Sequence, residues 1–298
     1  MFTGCGTALV TPFRADLSLD EVALRRLVRR QIDAGIDFLV PCGTTGENPA
    51  LSLAEHLRVV EIAVQEGKKS GIPVLAGAGG YNTAEVIELA KEVVAVGANG
   101  ILSVAPYYNK PSQEGLYQHY KAIAEAVTVP VIVYNVPGRT GVNVEPATLV
   151  RLAAIGNIFG VKEASGNIGQ FASILAQAPE RFAVLSGDDA LTLPAIALGG
   201  RGLISVASNE IPGEMAGLVR SCLSGDFAAA RAFQRKYLRL MEINFIESNP
   251  IPVKAAMALM GLLEPVWRLP LVAPSAVNLA KIEKVLESLG LIPAHATA

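Results

Sequence analysis

Hydrophobic and polar positions come in alternating blocks along the chain. A first apolar run at 7–13 gives way to the polar stretch Ser18-Leu19-Asp20-Glu21, a capping-box pattern. Leu24, Leu27, Val28 and Ile32 then recur at helical spacing up to Gly35. This strand-then-helix unit repeats. Apolar runs at 38–42, 74–77, 101–105, 131–135, 158–162, 182–186 and 203–207 predict seven more strands, and helical patterns begin near 53, 82, 113, 146, 168, 190 and 212. The strand runs show no polar alternation, which means burial on both faces, and regular βα repetition requires right-handed parallel crossovers. Eight such units close best as an α/β (β/α)8 TIM barrel, with the doubly wound sheet as the architectural rival. Residues 227–261 and 274–289 keep helical periodicity with no strand between them. The expected division is a barrel at 1–224 carrying the active site, and a helical C-terminal extension at 225–298 packed on it without a Gly/Ser linker.

Composition narrows the class. With 298 residues, 51% hydrophobic and 17% charged, the chain is long enough for one barrel with helices to spare. A net charge of −2 with no basic stripe argues against nucleic acid and anionic membranes as partners. The start, Met1-Phe2-Thr3-Gly4, lacks the basic residues and long apolar core of a signal peptide, and no uninterrupted apolar run approaches the ~18 residues of a membrane span. A cytoplasmic protein is expected. Cys5, Cys42 and Cys222 are odd in number and far apart, which predicts buried structural thiols. His56, His119 and His295 are also scattered, so neither a zinc site nor a Ser-His-Asp triad has its parts at a usable spacing.

In a barrel of this type, chemistry collects where the strands end. The sixth run carries Lys162 near its C-terminal end, then breaks into the polar turn Ala164-Ser165-Gly166-Asn167. A buried ammonium must be paired or lose its proton, and a free amine is the nucleophile that attacks a ketone. A lysine at a strand end that only snorkels to solvent is the plainer reading. Its predicted neighbours favour the chemical one. Gly43-Thr44-Thr45-Gly46-Glu47-Asn48 follows strand two, with two hydroxyls and closely spaced backbone N–H groups able to cup a carboxylate. Tyr107-Tyr108 follows strand four, Tyr134 ends strand five before Pro137-Gly138-Arg139-Thr140, strand seven ends at Gly187-Asp188-Asp189, and strand eight carries Ile204. Taken singly, these are turn residues, packing tyrosines, a surface arginine and helix-capping aspartates. Together they supply a nucleophile, proton carriers and an anion clamp at one end of the barrel.

At these residues the chain resembles the pyruvate-dependent, lysine Schiff-base aldolase family. The motifs GTALVTPF, CGTTGE, APYYNKPSQEGLYQHY, VIVYNVPGRTG, GVKEASGN, LSGDD and NPIPVKAAM appear in the family's order from near one end to the other. The resemblance implies condensation of pyruvate with L-aspartate 4-semialdehyde, on the route to diaminopimelate and lysine, without metal or organic cofactor. It implies that Lys162 forms the imine and that Tyr134 shuttles protons with Thr44 and with Tyr108 lent by a neighbouring subunit. It also implies that Thr45 holds the pyruvate carboxylate, that Gly187 and Ile204 line the pocket through their carbonyls, and that Arg139 grips the second substrate. A borrowed tyrosine implies an oligomer, in this family usually a tetramer. The sialic-acid lyase and sugar-acid aldolase branches resemble the chain around the lysine but lack the GRTG loop. A barrel that only bound a keto acid would have no use for Tyr134, Thr44 and Tyr108. His56, Tyr81, Glu85 and Tyr107 match positions of the lysine-binding site of inhibited members. Tyr81 and Leu53 replace an Asn and a His there, so weak or absent lysine inhibition is expected.

Overall fold

The computed structural model describes residues 2–294; His295 lies outside them. Eight strands, β1 (Gly4–Ala8), β2 (Phe38–Val40), β3 (Leu75–Gly77), β4 (Gly100–Val104), β5 (Val131–Asn135), β6 (Ile158–Glu163), β7 (Ala183–Ser186) and β8 (Gly202–Ser205), alternate with helices. All ladders are parallel, and β1 pairs with both β2 and β8. Between β2 and β3 a bridge at Leu39 and Val74, with Gly77 N donating to Pro41 O at 2.9 Å, closes the ring. The result is a TIM barrel.

The strands' two faces have different partners. Phe38, Val40, Leu75, Leu102, Ile132, Tyr134, Leu185 and Ile204 fill the barrel interior, while Leu39, Ala76, Ile101, Val133, Val161 and Val184 pack outward against the helices. Burial on both faces is why the strand runs lack polar alternation. The same parity turns Lys162 inward and Glu163 outward.

Local predictions differ from the structure at five places. The first strand starts at Gly4 and ends at Ala8, earlier than the apolar run at 7–13 suggests. A side chain at Gly6 would place its Cβ 2.2 Å from the Phe38 ring, so close strand approach requires the glycine that propensity disfavours. Asp20, not Ser18, caps the first helix by accepting from Ala23 N at 2.9 Å; Ser18 is taken up by a turn on Asp16. The true capping box is Ser52–Glu55. After β7 the helix begins at Thr192 rather than 190. Strand β8 stops at Ser205, because a short turn at Ala207–Asn209 follows it. Finally, the helical stretch at 227–261 is two helices, Phe227–Ile243 and Ile251–Leu259, interrupted before Pro250, which disfavours helix at the residue ahead of it.

The C-terminal helices share a core with the barrel wall. Leu240, Met241, Ala255, Ala256, Ile282 and Leu286 pack with Met215, Leu218 and Val219 of the helix Pro212–Leu223. Val253 and Met257 pack with Val10 and Val206, just past the ends of β1 and β8. Helix Ile251–Leu259 therefore lies at the end of the barrel where the strands finish. Cys5, Cys42 and Cys222 are all buried free thiols, and burial pushes the Cys42 thiol well up. Among the described residues, no helix is long and apolar enough to cross a membrane, and no three His, Cys, Asp or Glu side chains group as metal ligands.

Candidate active site

Strands β5 and β6 pair in register, with Tyr134 opposite Lys162. Lys162 is 5% exposed, and its Nζ stands 4.3 Å from the centroid of the Tyr134 ring. Among the described residues it has no carboxylate partner and no hydrogen bond. Glu163, facing the other way, accepts from Asn135 Nδ2 at 2.9 Å, Gln170 Nε2 at 3.0 Å and Ser165 N at 2.7 Å. These bonds fix the strand end that carries the lysine. Gly187 lies under the lysine stem: a Cβ there would sit 2.6 Å from Ala164 Cβ and 3.0 Å from Lys162 Cε. Lys162, Tyr134, Thr45, Arg139, Gly187 and Asn249 line one cavity. Thr44, Tyr107, Tyr134 and Arg139 share an adjoining one.

The loop after β2 bends sharply, with Cys42 and Glu47 both in left-handed conformation at φ 57° and 53°. Such strain collects at functional loops held by their surroundings. Thr45 is buried, and its Oγ1 accepts from Asn249 Nδ2 at 2.9 Å. Arg139 is exposed at the mouth, its Nη2 donating to Asn249 O at 3.1 Å. Tyr108 stands apart: it is 89% exposed, has a φ of 71°, and lines neither cavity. Ile204 is fully buried in the barrel interior, and from that segment it is Val206 that reaches the cavity wall. Asp188 accepts from Ala190 N at 2.9 Å. Asp189 is buried and accepts from Val206 N at 3.0 Å and Ala207 N at 3.1 Å, tying β7 to the end of β8; burial pushes its carboxyl up.

Lys254, Arg268 and Asn249 also support the site and have no obvious role in the sequence pattern. Glu47 and Lys254 form a fully buried ion pair joining the β2 loop to helix Ile251–Leu259. Arg268 N donates to the same Glu47 at 3.3 Å, and the Arg268 guanidinium lies 4.1 Å over the Phe13 ring. The guanidinium also donates to Glu55 at 2.9 Å and holds that carboxyl down at about 2. Asn249 is the third. A lysine among the apolar residues of NPIPVKAAM was the one available signal, since a buried charge needs a partner.

The family model described as the dihydrodipicolinate synthetase family matches residues 1–289. The chain belongs to the dihydrodipicolinate synthetase family. A 4-hydroxy-tetrahydrodipicolinate synthase of Koribacter versatilis (strain Ellin345) is 57% identical over 290 residues, covering 97% of this chain and 96% of that one. The dihydrodipicolinate synthase from Aquifex aeolicus superposes with a TM-score of 0.95 at 44% identity, covering 97% of this chain and 99% of the other. The chloride-inhibited dihydrodipicolinate synthase from Acinetobacter baumannii, solved with pyruvate, superposes at 0.96 with 42% identity, covering 98% and 100%.

In this member of the dihydrodipicolinate synthetase family, the four residues at candidate regulatory positions sit in different settings. His56 is buried, with its ring nitrogens 2.9 Å from the Asn48 amide and 2.9 Å from Gly77 O. Tyr81 is exposed and packs edge-on against Tyr107 at 5.3 Å, and exposed Glu85 accepts from Asn82 Nδ2 at 2.9 Å. Burial pushes the Tyr107 phenol up and pushes the His56 imidazole down from 6.5 to about 4. A folded value below the unfolded one means that the unfolded chain binds more protons in between. The contribution of His56 is therefore complete above pH 6.5 and lost as pH falls toward 4, by up to about 3 kcal/mol. Urea unfolding across that window is expected to show a smaller pH slope for His56→Asn than for wild type; equal slopes would mean that His56 is not held neutral.

Proposed function

We propose that the protein catalyses Schiff-base condensation of pyruvate with L-aspartate 4-semialdehyde, the class I aldolase-type reaction of a 4-hydroxy-tetrahydrodipicolinate synthase in diaminopimelate and lysine biosynthesis. The observation that carries this reading is an inward-facing lysine amine, buried without an anionic partner among the described residues, in register with a tyrosine on the adjacent strand. In this mechanism the free amine of Lys162 adds to C2 of pyruvate, and the former carbonyl oxygen takes up protons and leaves as water, giving the imine. The imine is an electron sink. It allows loss of a methyl proton, and the resulting enamine carbon adds to the aldehyde carbon of the semialdehyde, whose oxygen is protonated. The semialdehyde's own amine then displaces Lys162 from C2, closing a six-membered ring and freeing the enzyme. Overall, one water leaves for each pair of substrates joined.

Tyr134 is the group beside the amine and carries protons to and from it, with Thr44 from the adjoining cavity as its relay partner. Thr45 and the backbone of its loop bind the pyruvate carboxylate. Gly187 lines the pocket and lets the lysine stem lie against it, while Ile204, packed in the barrel interior, is read as contributing through its carbonyl from behind Val206. The exposure of Tyr108, away from its own cavity, fits donation to a second copy's relay, in a dimer that forms part of a tetramer. The surroundings are read as cytoplasmic. Lysine feedback is read as weak or absent, because Leu53 and Tyr81 supply no polar group equivalent to a histidine and an asparagine.

Arg139, at the mouth with one Nη2 proton taken by Asn249 O and its other N–H groups able to form two parallel bonds, selects the acceptor carboxylate. A turnover assay with pyruvate and L-aspartate 4-semialdehyde tests the proposal. Wild type is expected to turn over and to keep its rate in millimolar L-lysine. Arg139→Ala is expected to lose about a hundredfold in kcat/KM for the semialdehyde while binding pyruvate normally. A variant with full rate would refute the acceptor assignment, and an inert wild type would refute the reaction.

A further inference from the structure

Asn249 belongs to the segment between the helices Phe227–Ile243 and Ile251–Leu259, yet it reaches two residues from different strand ends. It is 5% exposed. Its side-chain Nδ2 donates to Thr45 Oγ1 at 2.9 Å, and its backbone carbonyl accepts from Arg139 Nη2 at 3.1 Å. It also lines the same cavity as Lys162. Its Oδ1 is buried with no partner among the described residues, so the amide does not sit there to satisfy its own hydrogen bonds. A hydroxyl carries one proton and accepts through its lone pairs. With the amide N–H occupying an acceptor position on Thr45, the threonine's single proton is left to donate into the cavity, toward a carboxylate.

We infer that Asn249 is a positioning residue that fixes the polarity of the Thr45 hydroxyl for a keto-acid carboxylate and, through its backbone, holds Arg139 for the acceptor. This inference rests on the proposed reaction. The two ligand sites are thereby joined through one residue of the C-terminal segment: the side chain serves pyruvate and the carbonyl serves the semialdehyde. Substitution separates the two, because every variant keeps the carbonyl.

Asn249→Asp is nearly isosteric but replaces the donor by an acceptor. It turns the Thr45 proton inward, away from the ligand, and places a negative charge near the bound carboxylate. Asn249→Ala removes the donor but leaves the hydroxyl free to rotate. The full-length protein is assayed for KM of both substrates, with melting temperature as a check on folding. Pyruvate affinity is also read from the concentration dependence of borohydride trapping. The expected result is a KM for pyruvate raised tenfold or more in Asn249→Asp and only a few-fold in Asn249→Ala, with KM for the semialdehyde within twofold in both. A residue that merely fills space gives the opposite order, with alanine worse than aspartate, and that order overturns the inference, as does an equal shift in both KM values. If Asn249→Asp does not fold, a wild-type pyruvate KM in Asn249→Ala overturns it and a few-fold rise confined to pyruvate supports it. Failure of the wild type to be trapped at all would instead overturn the Schiff-base reading beneath it.

Discussion

Gly187→Ala is expected to lower turnover about a hundredfold while leaving the barrel folded. The added methyl would lie 2.6 Å from Ala164 Cβ and 3.0 Å from Lys162 Cε. Ala164 Cβ is fixed to the backbone, so relieving that contact shifts the chain around Gly187, and the lysine stem beside it is displaced with it. The strand end beneath it is anchored by the bonds to Glu163 and stays in place. An amine displaced by about 1 Å from its attack position is enough for a loss of that order. The check is kcat measured at saturating substrates beside a thermal melt. A wild-type kcat would show that the space over Gly187 does not set the position of the amine.

The second large effect concerns stability. Lys254→Met is expected to destabilise the protein by about 3–5 kcal/mol, because it leaves the Glu47 carboxylate buried and unpaired. Burial pushes the lysine's pKa down, and the neighbouring Glu47 carboxylate opposes that shift. The double variant Glu47→Gln with Lys254→Met is expected to recover most of the loss, since no lone buried charge remains. Urea unfolding of the two variants reads both numbers. A single variant within about 0.5 kcal/mol of wild type would mean that the pair carries no such penalty, as is usual only for exposed pairs.

The barrel was legible in the sequence because its signal is repeated eight times. Each strand is a short apolar run buried on both faces, and each is followed by a helical pattern, so an error at one boundary does not change the number of units. The boundaries themselves were less legible. Nothing in the sequence shows that Gly6 lies against the ring of Phe38, so β1 was expected to begin three residues late. Site residues at strand ends were readable for the same reason as the strands: Lys162 and Tyr134 fall at the ends of recognisable runs, and the barrel brings those ends together.

Contacts from the C-terminal segment were not readable. Glu47 meets Lys254 across 207 positions, and Thr45 meets Asn249 across 204. No periodicity encodes pairings of that separation. They arise because helix Ile251–Leu259 packs its apolar residues against Val10 and Val206 at the strand ends. That packing carries Asn249 and Lys254 to the β2 loop.

The most direct measurement is reduction of the wild-type protein with borohydride in the presence of pyruvate, followed by peptide mass spectrometry. A single reduced pyruvyl adduct on Lys162, absent from Lys162→Ala, is the predicted result. An adduct on Lys254 or any other lysine, or none on a folded protein that still turns over, would contradict the central role given to the inward-facing amine of β6.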